Sequence, residues 1–305
     1  MTETTPTPAI ETNELTKRYT DTAAIRDLTL RVDRGEVFGF LGPNGAGKST
    51  TINILLGLTR QTAGEVRVLG QMPSDADDSL GRRVGVVPER CELYPRLSGR
   101  EHLSFVIAVT DASNTPEALL ERVGIRDVAD RRVGGYSTGM AQRLRLALAL
   151  VGNPDLLILD EPAEGLDPNG VARLREIIRT EHGRGVTIVF SSHRLDQVRA
   201  VCDRVGILVA GRLRTTERVD AFNDSADRLR VRPSSDPGKV LERLRSHHAV
   251  ESVCEERGDV LTTLADPAAE PEIIAELETQ TAIEDVIVER DSLEGLFARL
   301  TEADA

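Results

Sequence analysis

A glycine-rich stretch with one lysine and one serine is the clearest chemical signal in the sequence. Residues 42–50 read Gly-Pro-Asn-Gly-Ala-Gly-Lys-Ser-Thr and match the phosphate-binding pattern G-x-x-x-x-G-K-[ST]. Glycines let successive N–H groups point into one concavity, where Lys48 supplies a charge for the outer phosphates and Ser49 a hydroxyl for Mg²⁺. A glycine-rich turn that binds nothing is the alternative. The predicted phosphate-binding residues are Gly42, Pro43, Asn44, Gly45, Ala46, Gly47, Lys48, Ser49 and Thr50.

Two adjacent acids follow a continuous apolar run. Leu156-Leu157-Ile158-Leu159 is typical of a buried parallel strand, and Asp160 and Glu161 come at its carboxyl end. Acids about one hundred residues after a phosphate loop have the spacing for Mg²⁺ binding and water activation. A solvated turn is the alternative, and the upstream loop favours the chemical role. His193 leaves a second apolar strand at the same edge of the sheet, where ligands collect.

The elements around these residues have the order that a phosphate loop needs. Residues 36–41 form a predicted buried strand and residues 49–58 a predicted helix, so strand, loop and helix follow one another. Alternating apolar residues predict antiparallel strands at residues 10–15 and 25–32. Further strands are predicted at residues 64–70, 84–90, 186–190 and 204–211, and helices within residues 98–131, 141–151 and 169–182.

Two further stretches have side chains suited to a nucleotide. Tyr19 falls between the first two predicted strands, and its ring could stack on a base, although periodicity alone indicates a loop tyrosine. Ser137 lies in the N-cap region of a predicted helix and is flanked by glycines, among them Gly139. A helix N-terminus of this kind is a potential second anion site.

The charge composition is unusual. The chain has 305 residues and a formal charge of −12, and only three of its 38 basic residues are lysines, Lys17, Lys48 and Lys239. Acidic residues with few lysines are typical of salt-loving microbes, and a GC-rich genome that favours arginine codons is the alternative explanation. The acidic balance argues against a broad nucleic-acid-binding surface, so no direct nucleic-acid partner is expected.

Cysteines and terminal residues indicate a cytoplasmic protein. Cys91, Cys202 and Cys254 have no C-x-x-C spacing, so we predict three small core residues rather than disulfides or a zinc site. Residues 1–8 are a polar tail, predicted to be disordered, without the features of a signal peptide. No run approaches the roughly 18 apolar residues of a membrane span, so membrane association is expected through a partner.

Residues 10–220 resemble the nucleotide-binding subunit of an ATP-binding-cassette (ABC) transporter, with the family's motifs in order. The resemblance implies an α/β P-loop NTPase cassette with a mixed sheet core, an antiparallel β subdomain and a helical subdomain. It also implies that Tyr19 stacks on adenine, that Asp160 helps hold Mg²⁺, that Glu161 is the base that polarises the attacking water, and that Lys48 and His193 contact the outer phosphates.

The same resemblance implies a dimer. Residues 136–140, Tyr-Ser-Thr-Gly-Met, are similar to the Leu-Ser-Gly-Gly-Gln signature, through which Ser137 and Gly139 complete the site on an opposite subunit. Asp167 would lie in the loop that couples the two sites. A second copy or a related cassette, bound head to tail, is therefore expected.

Three positions depart from the family's pattern. Glu89 stands where a glutamine is usual, and its carboxylate could approach Mg²⁺ while adding charge beside the γ-phosphate. In the signature, Thr138 replaces the first glycine and Met140 the final glutamine. Ala163 stands where a hydroxyl is common.

Residues 221–305 form a second predicted domain. Their β-α-β-β-α-β order indicates a small α+β ferredoxin-like domain, and the closing helix at residues 292–301 resembles the ending of ABC-2-type cassettes, which include drug, antibiotic and sodium exporters.

The resulting hypothesis is an ATPase that couples ATP hydrolysis with Mg²⁺ to export through a separate membrane permease, at the cytoplasmic face of the membrane of a haloarchaeon. Docking is expected near residues 89–103, where Tyr94 and its neighbours expose apolar surface. One alternative is a non-transport ABC ATPase that acts on nucleic acid or ribosomes, although the chain has neither two cassettes nor sustained heptads. Another is a P-loop kinase or GTPase, against which the signature and His193 argue.

Overall fold

The computed structural model describes residues 7–20, 22–75, 78–222, 227–234, 236–256, 258–280, 283–290 and 293–302. These residues form two compact units, divided between Arg218 and Val219. Of the predicted tail, residues 1–6 lie outside the described residues, and Thr7 accepts a hydrogen bond from Arg34 Nε at 3.1 Å.

The first unit contains nine strands and seven α-helices among its described residues. The strands are β1 (Ile10–Tyr19), β2 (Thr22–Val32), β3 (Val37–Leu41), β4 (Ala63–Val68), β5 (Val84–Val87), β6 (Leu156–Asp160), β7 (Thr187–Ser192), β8 (Arg204–Val209) and β9 (Arg212–Arg218). The helices are α1 (Lys48–Leu55), α2 (Asp78–Arg83), α3 (Gly99–Thr110), α4 (Pro116–Val123), α5 (Thr138–Ala149), α6 (Pro168–His182) and α7 (Leu195–Val201).

A six-stranded mixed sheet forms the centre of this unit. Its strand order is β5-β6-β7-β3-β8-β9, and every neighbouring pair is parallel except β8 and β9. Every residue of β3, β6 and β7 is buried, which explains why these strands read as continuous apolar runs. Because parallel strands end at the same edge, the residues that follow β3, β6 and β7 are gathered there.

Two further layers complete the first unit. A three-stranded antiparallel sheet has the order β2-β1-β4, and its apolar residues share a core with β3 and α1. Helices α3, α4 and α5 pack together, as expected for the predicted helical subdomain. A buried ion pair between Arg122 on α4 and Glu181 on α6 ties these helices to the core. The predicted α/β architecture, with a mixed sheet and an antiparallel sheet, is confirmed.

The second unit has four strands and three α-helices among its described residues, β10 (Asp227–Pro233), α8 (Pro237–Ser246), β11 (Val250–Glu256), β12 (Asp259–Leu264), α9 (Glu270–Gln280), β13 (Ile283–Arg290) and α10 (Leu293–Glu302). Its antiparallel sheet has the order β11-β12-β10-β13. Buried residues of β10, β12, α8 and α9 form a separate core. The β-α-β-β-α-β element order agrees with the sequence, and the ferredoxin-like assignment stays a prediction from that order.

Several local predictions were wrong. Tyr19 is the last residue of β1 and not a loop residue, because irregular register after Thr12 interrupts the alternation that marks a strand. Cys202 is buried, but Cys91 is only half-buried in the loop after β5, and Cys254 is exposed on the edge strand β11. The sequence reasoning also missed α2, α7 and β9, which are short or irregular in pattern.

Among the described residues, no helix is both long enough and apolar enough to cross a bilayer.

Candidate active site

The loop between β3 and α1 packs very closely against the backbone of two neighbouring strands. A Cβ atom at Gly42 would lie 2.4 Å from the Leu208 carbonyl oxygen, and one at Gly47 would lie 2.7 Å from that of Ala24. Gly47 also has φ +107°, a conformation that favours glycine. Glycine is therefore required at both positions for the loop to pack against β2 and β8.

Lys48, at the start of α1, is held by the loop and by an acid. Its side chain is 6% exposed, and its Nζ donates to the Gly42 carbonyl at 2.7 Å and to the Pro43 carbonyl at 3.4 Å. The same Nζ lies 3.3 Å from Glu161 Oε1. The ammonium is thus placed at the loop with fixed carbonyl partners, where it can meet an anion.

Glu161 has one carboxylate oxygen without a hydrogen bond. Oε2 lies 3.1 Å from His193 Nδ1, whereas buried Oε1 forms the ion pair with Lys48 but has no hydrogen-bond partner. The 3.3 Å contact satisfies a charge-pair distance without the alignment that a hydrogen bond needs. A buried acceptor with spare capacity can orient a water molecule by accepting a hydrogen bond from it.

Ser191 joins the two acids at the end of β6. In the β6–β7 register it lies opposite Asp160, and its completely buried hydroxyl donates to Asp160 Oδ1 at 2.5 Å and accepts from the Glu161 N–H at 2.9 Å. Glu161 has φ +45°, which is unfavourable for a side chain of this type. The hydroxyl therefore fixes both the Asp160 carboxylate and the strained backbone of Glu161.

A cavity of about 330 Å³ collects most of the predicted residues. Its lining includes residues 43–50, Glu89, Glu161 and His193, and His193 has a 45% exposed side chain. Ala24 and Glu164 also line it, and the sequence reasoning did not select either. Asp160 lines a neighbouring cavity against α1 rather than this one.

The donor atoms near the loop suit a hard cation with few protein ligands. Ser49 and Glu89 line the cavity at the phosphate loop, hereafter the phosphate cavity. Asp160 is 6% exposed at the end of β6. Within the described residues, no three His, Cys, Asp or Glu side chains come together as a metal site of their own. Hydroxyl and carboxylate oxygens, completed by substrate phosphates, are the arrangement that Mg²⁺ prefers.

The signature residues lie in a different cavity of about 380 Å³. Ser137 caps α5 by accepting from the Met140 N–H at 3.2 Å, and Asp167 caps α6 by accepting from the Gly170 N–H at 2.7 Å. Ser137, Gly139 and Asp167 share this cavity with Arg143, and burial lowers the pKa of the Arg143 guanidinium. The two cavities have no lining residue in common, so one chain does not bring the signature to the phosphate loop.

Tyr19 lies at the end of β1 and is absent from the lining of the phosphate cavity. Its strand partner is Thr22, two residues before Ala24, which does line that cavity. The hairpin therefore brings Tyr19 to the neighbourhood of the cavity.

Of the residues that sequence reasoning missed, only Ser191 had a usable signal. It belongs to a Ser-Ser-His run that ends a predicted buried strand, and a hydroxyl at that edge can reach a neighbouring strand end. Ala24 contributes only backbone and a small side chain to the cavity, and no sequence pattern indicates such a position.

Comparison with known proteins gives a consistent result. A family model described as ABC transporter matches residues 25–164. The bacitracin transport ATP-binding protein BcrA of Bacillus licheniformis is 40% identical over 207 residues, which are 67% of this chain and 68% of that protein. A fluoroquinolones export ATP-binding protein of Mycobacterium tuberculosis is 39% identical over 229 residues, 74% of this chain and 76% of that protein. A solved ATP-binding subunit of an ABC transporter aligns with TM-score 0.63 and 30% identity, covering 70% of this chain and 92% of that one.

Replacing Ser191 by alanine should destabilise the first unit. The change leaves the buried Asp160 Oδ1 and the Glu161 N–H without this partner, at an expected cost of about 1–3 kcal/mol in the free energy of unfolding. Thermal unfolding of the purified proteins measures the effect, and a melting temperature of Ser191→Ala equal to that of the wild type would contradict the assigned bonds.

Proposed function

Because this chain belongs to the ABC transporter family and is one of its ATP-hydrolysing cassettes, we propose that it couples ATP hydrolysis to export through a separate membrane permease. The observation that carries the catalytic part is that Glu161 contacts both Lys48 and His193 at one cavity of about 330 Å³. Export is supported by the relative named for fluoroquinolones export, and transport also by the relative named for bacitracin transport.

Each of the predicted site residues has a proposed role. The loop N–H groups and Lys48 bind the phosphates, and Tyr19 stacks on the base. Glu161 polarises the attacking water through Oε1, the buried oxygen that has no hydrogen-bond partner. His193, which already touches Oε2, orients this carboxylate and reaches toward the γ-phosphate. Ser49, Asp160 and Glu89 would hold Mg²⁺, which neutralises charge on the phosphates when bound.

The complete site is proposed to need two chains. Ser137 and Gly139 line a cavity separate from the phosphate loop, so they can complete a site only on another subunit. A head-to-tail dimer places the signature of each chain over the loop of the other, and both helix N-termini then face the same nucleotide.

The permease is proposed to dock near residues 89–103. Tyr94 is 69% exposed, and Phe105 and Val109 on α3 are also exposed, which is unusual for such large apolar side chains.

We further propose that the chain belongs to the ABC-2-type subgroup, comes from a haloarchaeon and lies at the cytoplasmic face of the membrane. The alternative, an ABC ATPase acting on nucleic acid or ribosomes, would share the same ATP chemistry.

Glu161→Gln should lower ATP turnover by about 10²–10⁴-fold, because an amide cannot act as a general base. ATP binding should persist, since the loop and Lys48 are unchanged. Phosphate release and ATP-dependent dimerisation are the measurements, and Glu65→Gln, on the exposed side of β4, is the control. Unchanged turnover would show that another group activates the water.

Mixing two inactive variants tests the shared site. Lys48→Ala disables the loop, and Gly139→Asp puts a negative charge in the signature, where a new Cβ has open space. In a head-to-tail heterodimer one of the two sites contains neither change. An equal mixture should recover up to about one quarter of the wild-type rate, since half of the dimers are mixed. Activity equal to the sum of the separate variants would indicate that the signature does not act in trans.

Affinity purification tests the partner. Tagged Glu161→Gln protein, purified from solubilised native membranes with ATP, should bring down a polytopic membrane protein, because the ATP-bound dimer is held together when hydrolysis is blocked. Tagged Lys48→Ala protein is the matched control and should capture less. Ribosomal or DNA-associated proteins in place of a membrane protein would favour the alternative function.

A further inference from the structure

Lys17 lies against the ring of Tyr19. The two residues are separated by one position on β1, and Lys17 Nζ is 4.7 Å from the centroid of the Tyr19 ring. Tyr19 is 47% exposed, so the ammonium covers part of the ring and leaves the rest open. A cation at this distance is attracted by the negative face of the aromatic ring.

The Lys17 ammonium is itself fixed in place. It donates to the Arg60 carbonyl at 2.7 Å. Two further bonds join the same segments, from the Arg18 N–H to Thr62 Oγ1 at 3.0 Å and from the Thr62 N–H to the Thr16 carbonyl at 2.8 Å. Because the segment at residues 60–62 follows α1, these bonds hold the end of β1 to the helix that begins at the phosphate loop.

The position of Tyr19 relative to the phosphate cavity is also constrained. Its strand partner Thr22 lies two residues before Ala24 on β2. Ala24 lines the cavity, and its carbonyl oxygen lies close to Gly47. Tyr19 is thus connected to the loop from two sides, through β2 and through the Lys17 anchor.

We propose that Lys17 is a positioning residue for the nucleotide base. The Lys17 ammonium covers one face of the Tyr19 ring and holds the ring in place. The opposite face can then receive the base without the Tyr19 side chain first becoming ordered. This inference rests on the proposed function, in which Tyr19 stacks on the base. Ordering a side chain on binding weakens affinity, and a ring that is already held avoids that loss.

The test compares Lys17→Met, which keeps the length but removes the charge, with Lys17→Arg, which keeps a cation that can lie over a ring. Binding of ADP should be about two- to fivefold weaker for Lys17→Met and largely restored for Lys17→Arg. Lys239→Met, which removes an exposed lysine from α8 in the second unit, is the matched control and should bind ADP as the wild type does. Calorimetric titration of the full chain provides the dissociation constants.

Two further measurements separate positioning from a general effect. Tripolyphosphate has no base, so Lys17→Met should bind it as tightly as the wild type does. In a Tyr19→Leu background, Lys17→Met should add no further loss of ADP affinity, because the ring it positions is gone. An equal loss for tripolyphosphate, or additive losses in the double variant, would overturn the inference.

The outcomes also distinguish this inference from the proposed function. Wild-type protein that binds neither ADP nor ATP contradicts the proposed function itself. Wild-type protein that binds ADP, with Lys17→Met binding it equally well, contradicts only the role of Lys17. Thermal unfolding of each variant shows whether an affinity loss comes from a damaged fold.

Discussion

The ion pair between Lys48 and Glu161 is the contact on which the rest of the site depends. The pair forms because β3 and β6 end at the same edge of a parallel sheet, one followed by the phosphate loop and the other by Glu161. Removing two charges from water is costly unless each has further partners. Lys48 finds them in the loop carbonyls, and Glu161 finds one in His193.

The partners of the pair are unequal, and the difference has a chemical consequence. Lys48 donates to two carbonyls, whereas Glu161 Oε1 has only the charge of Lys48 nearby and no hydrogen bond. In addition, Glu161 has a positive φ that is held by Ser191. Backbone strain and an unsatisfied acceptor persist at one residue only where the neighbouring structure imposes them. The unsatisfied Oε1 leaves this carboxylate able to accept a hydrogen bond from a water molecule.

The sequence predicted the parts of the site that local pattern determines. The loop is marked by closely spaced glycines and Lys48, and the acids by a buried strand of five residues, so both could be predicted without any tertiary information. Ser191 reaches Asp160 because β6 and β7 are paired, and Ala24 contributes through its backbone contact with Gly47. Neither contact can be read from the residue types alone. For Tyr19 the alternation rule failed because irregular register in β1 removes the period of two.

The helix that begins at Ser137 is tied to the strand that leads to Glu89. Arg145 on α5 donates from Nε to the Cys91 carbonyl at 2.8 Å, two residues beyond Glu89. A Cβ at Gly85 on β5 would lie only 2.0 Å from the Ala149 carbonyl oxygen, so β5 and the end of α5 are in direct backbone contact. Close-packed elements move as bodies rather than deforming. Contacts through the Cys91 carbonyl and α5 therefore connect Glu89, which lines the phosphate cavity, to the helix that Ser137 caps in the other cavity. In the proposed head-to-tail dimer those cavities would belong to different nucleotides, so this chain of contacts would link the two sites.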